Sequence, residues 1–208
     1  MTANIDALTF DTTGWTSPEE EAMPGGIVRR WRNDFEDQLT VQYFDSPDAP
    51  PFRVGDVAEF RGFARAMATN RGGGLIDANV VSGKGVRLHR VVMKYPDAGG
   101  GFSFVGGLIL SPHFSINVEG SEGPVTGERE TAVALSLGAD AKPGLLKRML
   151  GRGDPWAQDP YEPSFRAPVL RCKADDSRWD AEFPTHALSR VRAALLLIQR
   201  TASLSPDG

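Results

Sequence analysis

Between Leu75 and Ser121 the chain reads LIDANVVS, VRLHRVVMKYP, FSFVGGLILSP and FSINVEGS, with GKG, DAGGG and a Ser-Pro-His corner between the runs. Side chains that alternate with period two lie on opposite faces of a strand. Short alternating runs joined by glycine turns read as an antiparallel meander. Everything else in the sequence has to be fitted around that sheet.

Upstream, IVRRWRND (27–34) and LTVQYFD (39–45) are joined by FEDQ, short enough for a further hairpin. The prolines of SPDAPP end the second strand, because proline cannot donate to a ladder. The period then changes: Val57, Phe60, Ala64 and Met67 recur at helical spacing, with Phe63 nearby, and Asn70-Arg71-Gly72-Gly73-Gly74 supplies the stop. TGERETAVALSL reads as a second helix capped by Thr126. From about Thr185, an apolar stripe of Leu188, Val191, Leu195 and Ile198 opposes Arg190, Arg192 and Gln199, which predicts a closing helix over 185–201 with Arg192 exposed. Residues 138–184 carry prolines at 143, 155, 160, 163 and 168, which forbid long regular elements and predict a wrapping segment with one short helix at Leu145–Leu150. The expected fold is α+β: a single domain with an antiparallel sheet of about five to seven strands, flanked by helices. Its core would span about 10–137 plus the final helix, with 138–184 as an irregular insertion.

At 208 residues the chain suits one substantial domain. Its formal net charge of −4 offers no general attraction to phosphate backbones or anionic lipid, so neither nucleic acid nor membrane is an expected partner. The longest apolar run, AALLLI at 193–198, is far short of the ~20 residues that cross a bilayer. The first residues show no basic run followed by an apolar core. Cys172 is the one cysteine, so no intramolecular disulfide and no cysteine-rich zinc site can form. These features together lead us to expect a soluble protein of a reducing cytoplasm.

The densest cluster of chemistry-bearing residues is DDSRWDAEFPTHALSRVR (175–192), with Asp175, Asp176, Asp180, Glu182 and His186 close together. Two readings compete. The cluster is either a metal or acid–base site, or the acidic entrance to the last helix, where negative charge favours the helix dipole and Thr185 caps. No HExxH, paired HxH or second nearby histidine supports a metal, so no cofactor is expected. His89 lies on a strand with Arg87, Val91 and Met93 on its face, and His113 sits at the Ser111-Pro112 corner. VSGKGVR (80–86) lacks the GxxxxGK[ST] spacing and the following helix of a phosphate loop, and reads as a hairpin turn.

The order of elements, carried by IVRRWRND, LTVQYFD, DVAEFRGFARAMA, FVGGLILS and FSINVEG leading into TGERET, resembles the PsbP-like α/β/α sandwich shared by DcrB-type proteins and certain secretion-effector chaperones. The resemblance covers roughly residues 10–137 plus the final helix. It implies a scaffold that binds other proteins, generally without catalysis. The leading expectation is therefore a non-enzymatic binding module: an adaptor, a chaperone or an immunity-type protein with a protein partner. One alternative is a small hydrolase or ligand-binding enzyme using His186 or His89 with Asp180 and Glu182, and another is a structural subunit of a larger assembly. Phe102, Phe104 and Leu108 share one parity of an apolar strand whose other parity is also apolar. That predicts cover on both faces and either a homodimer or an exposed apolar patch. Trp156 and Tyr161 are either anchors of the wrapping segment or part of the same binding face.

Overall fold

The computed structural model describes residues 4–84, 86–123, 126–137 and 156–205. Its centre is a seven-stranded sheet formed by β2 (Glu19–Met23), β3 (Gly26–Arg32), β4 (Gln38–Phe44), β5 (Gly74–Gly83), β6 (Val86–Pro96), β7 (Phe102–Ser111) and β8 (Phe114–Ser121), in the order β2-β3-β4-β8-β7-β6-β5. Every neighbouring pair is antiparallel. The meander and the β3–β4 hairpin are as the alternation predicts. β2 lies in the polar, turn-rich beginning of the chain. It is an edge strand of mostly glutamates, with Glu20 and Glu21 paired to Arg29 and Arg30 of β3, a charged edge that discourages pairing with another chain. Two further short strands, β1 (Leu8–Thr9) and β9 (Ser203–Leu204), pair with each other.

The alternation sorts side chains into two cores. Leu39, Val41, Leu88, Val92, Phe104, Leu108, Ile116 and Val118 meet α3 (Ala187–Thr201) through Leu188, Val191, Leu195 and Ile198. On the other face Leu75, Ala78, Val91 and Met93 meet α1 (Val57–Asn70) through Phe60, Ala64 and Ala68. Asp56 caps α1 by accepting from Ala58 and Glu59. Gly106 faces α3, where a Cβ would lie 2.4 Å from Leu195 Cδ1, so the missing side chain is what lets the helix approach the sheet. α1 covers the β5–β6 half of its face. The β4–β8 half presents the polar residues Gln38, Thr40, Gln42, Ser115 and Asn117.

Four expectations need correction. Phe104 and Leu108 are fully buried beneath α3, so they belong to the core and offer no binding face. α2 (Glu128–Ser136) follows Gly127, whose φ of 75° turns the chain into the helix, and Thr126 makes no cap. α3 is capped by His186, not Thr185: its Nδ1 accepts the Leu188 N–H at 3.2 Å. Arg192 is not exposed; it donates to Asp180 and to the Asp175 carbonyl. The helix expected at 145–150 lies outside the described residues.

Candidate functional site

The segment from Trp156 to Pro184 is an irregular strap that packs on the α1 face through Tyr161 and on the end of the α3 face through Asp175, and its side chains say why it stays there. It has few ladder bonds, an isolated Ala157–Cys172 bridge being one, so side chains must hold it. Three of its carboxylates reach four different elements. Asp159 takes a two-point bond from Arg65 of α1, at 2.8 Å each. Asp175 accepts from Lys94 of β6 at 2.6 Å. Asp180 accepts from Arg129 of α2 at 2.8 Å and from Arg192 of α3 at 3.0 Å. Arg129, 1% exposed, also donates to the Ala174 and Asp176 carbonyls and to Ser189 Oγ. Tyr161 is an anchor too, its hydroxyl bonded to Asp77 and to the Ala78 backbone. Beneath the strap Val133, Ala134, Trp156, Ala157, Cys172 and Ala174 form a third apolar cluster, with Trp179 and Phe183 packed against it.

The acidic cluster is thus neither a converged site nor simply a helix entrance; its buried members are fasteners. Asp176 caps the short turn Ser177–Trp179, and Glu182 is exposed. The candidate histidines do not meet. His89 lies on the α1 face between the rings of Phe52 and Phe60; burial, with Arg87 nearby, depresses its pKa. His113 stacks on Tyr43 and bonds the Phe44 carbonyl. His186 faces Glu122, at 3.0 Å from Nε2. Its Nδ1 accepts the backbone N–H, so Nε2 carries the proton and donates it to Glu122.

What the strap, α2 and the β6–β7 turn do build is a recess of about 200 Å³. Pro96, Phe102, Trp156, Pro168 and Val169 are among its apolar walls, and Lys94, Glu122, Glu130 and Cys172 bring its polar atoms. Lys94 and Asp175 are each 1% exposed. Burial works against both charges, yet their mutual attraction outweighs it: the ammonium is held well above, and the carboxyl below, its ordinary range. The Cys172 thiol, 3.8 Å from Lys94 Nζ, is pushed up to about 12 by burial and by Asp175. Glu130, on the first turn of α2, is 9% exposed, and its Oε2 is buried with no hydrogen-bond partner among the described residues. Burial, with Asp175 and Glu122 nearby, raises its pKa.

Two sets of donor atoms here lie within 4.8 Å of one another: Glu122, Glu130 and His186, and Glu130, Cys172 and Asp175. Neither fits a metal. A histidine ligating through neutral Nε2 carries its proton on Nδ1, and here Nδ1 is already the acceptor of the α3 cap. The second set is in contact with the Lys94 ammonium, which already takes the Asp175 carboxylate. A larger cavity, about 350 Å³, has Asp77, Arg90, Arg171, Asp180 and Arg192 in its lining. Its cations are already matched, as Arg90–Asp77, Arg171–Asp176 and Arg192–Asp180.

No protein-family model, no curated protein and no solved structure matches this chain. Sequence reasoning missed Lys94 and Glu130. The signal for Lys94 was present, a lysine on the Leu88–Val92 parity that has to point into a core.

Proposed function

We propose that the chain is a non-enzymatic binding module that works through the Glu130 recess and not through a face of its sheet. The observation that carries this reading is Glu130 Oε2, a buried carboxylate oxygen without a partner among the described residues, in a largely apolar-walled cavity. Ligand sites are typically apolar enclosures in which a few polar groups fix orientation. The groups that turnover would need are otherwise engaged: His186 uses both ring nitrogens, and Asp180 is shared by two arginines. At about 200 Å³ the recess is below the usual range for drug-sized ligands, and suits one small molecule or one side chain of a partner protein. The PsbP-like resemblance agrees with a binding role. A lone buried cysteine suits a reducing cytoplasm, and among the described residues no helix is long and apolar enough to cross a membrane.

Amide chemical shifts of the labelled protein, followed while small charged and neutral probes are titrated in, test this. Saturable shifts confined to Gly100, Gly101, Gly127 and Val169, with each probe recovered unchanged, support it. Shifts centred on Thr40, Gln42 and Asn117 of the open sheet face, or consumption of a probe, would overturn it.

A further inference from the structure

We infer that the recess takes an organic ammonium group on a short apolar stem, with Glu130 Oε2 as its acceptor; this rests on the recess being the binding site. The charge around the cavity decides the sign of the ligand. Lys94 is the one cation in the lining, against Asp97, Glu122 and Glu130, and it is already bound to Asp175. An incoming cation therefore meets an excess of carboxylates, whereas an incoming anion meets no unpaired donor charge.

The class of cation follows from the acceptors. Glu122 already receives His186 through Oε1 and the Phe102 N–H through Oε2. Asp97 accepts the Gly99 N–H within its own turn. That leaves Glu130 Oε2 as the buried unsatisfied oxygen among the described residues of the lining, enough to orient a compact ammonium but too few buried acceptors for the five donors of a guanidinium. A bare divalent ion is disfavoured by the His186 tautomer, whose Nδ1 is taken by the α3 cap. The Phe102 ring already has Lys94 Nζ over it at 4.9 Å, and Pro96, Pro168 and Val169 leave the stem an apolar channel. The chemistry is shared by a free alkylamine and by a lysine side chain of a partner.

Binding should be linked to pH. The ammonium is paired only when Glu130 is ionised, and burial together with Asp175 and Glu122 raises the Glu130 pKa. The groups facing it are Lys94 from β6, Glu122 after β8, Asp175 and Cys172 from the strap, and His186 at the start of α3. Affinity should rise with pH through the Glu130 titration, by up to about tenfold per pH unit for one proton released.

Calorimetry on the full chain, from about pH 5 to 8, would compare n-butylamine, n-butanol, Nα-acetyl-lysine methylamide and zinc chloride, with wild type and Glu130→Gln. The expected result is that butanol binds about tenfold or more weakly than butylamine, the worth of a hydrogen bond to a charged group. The amine preference should disappear in Glu130→Gln while its melting temperature is kept. Tighter binding of the lysine derivative assigns a partner's side chain, and tighter binding of butylamine assigns a free amine. Equal binding of butylamine and butanol, an unchanged amine preference in Glu130→Gln, or stoichiometric zinc in place of the amine would overturn the ammonium assignment. In each of those cases the recess remains a binding site. If no probe, charged or neutral, binds there, both the assignment and the binding role fail.

Discussion

At the scale of single residues, the consequence of burial is that reactive groups are made inert. Cys172 is buried, and its thiol is pushed up to about 12. Alkylation needs the thiolate, so iodoacetamide at neutral pH should leave folded protein unmodified and label it only in denaturant; mass spectrometry reads the outcome directly. His89 is a second case. Its pKa is depressed by burial, so the neutral ring is the folded form. The unfolded chain binds that proton first, and stability present above pH ~6.5 is lost as the pH falls through the folded value. Denaturation midpoints of His89→Phe should accordingly fall less than those of wild type between about pH 6.5 and 5. Little of this could be read in advance. A histidine on a strand does not announce whether two phenylalanines or a carboxylate will surround it, because that depends on which helix lands above.

Among the elements, α3 shows both what periodicity reveals and what it hides. Leu188, Val191, Leu195 and Ile198 are buried as their spacing requires. Leu195→Asp should cost several kcal/mol in thermal or denaturant melts, because it places a charge without a partner against Gly106 and the sheet. The polar side of the same helix misleads, because period alone cannot tell a solvated arginine from one that reaches over to a strap. Arg192 pairs with Asp180 and bonds the Asp175 carbonyl. Arg192→Ala should therefore cost about 1–3 kcal/mol, against less than about 0.5 kcal/mol for the exposed Arg200→Ala; equal melting shifts would count against the pairing. The strap itself was legible only as a proline-rich segment without regular structure. Its fasteners depend on pairs far apart in sequence, such as Arg65 with Asp159 and Lys94 with Asp175, and a local pattern does not register them.

For the whole molecule, the sheet was the most legible part, since every strand of the meander carries its own alternation and its own turn. The expectation of cover on both faces of β7 holds, with the chain supplying the cover itself: α3 on one side and the α1 cluster on the other. That removes the physical motive for a second copy of the chain at this strand. What builds the recess is the strap closing against the sheet, and the most deeply buried of its fasteners is Lys94–Asp175. Losing one partner of a buried pair leaves the other charge uncompensated, at about 3–5 kcal/mol, whereas replacing both with apolar groups is often close to neutral. A double-mutant cycle with Lys94→Met, Asp175→Leu and the pair together, read by denaturant unfolding, measures this. The account predicts that each single change costs about 3–5 kcal/mol, and that the double variant recovers much of the loss. Single changes that each cost less than about 1 kcal/mol and simply add would contradict it, because the strap would then be held, and the recess built, by something other than its buried carboxylates.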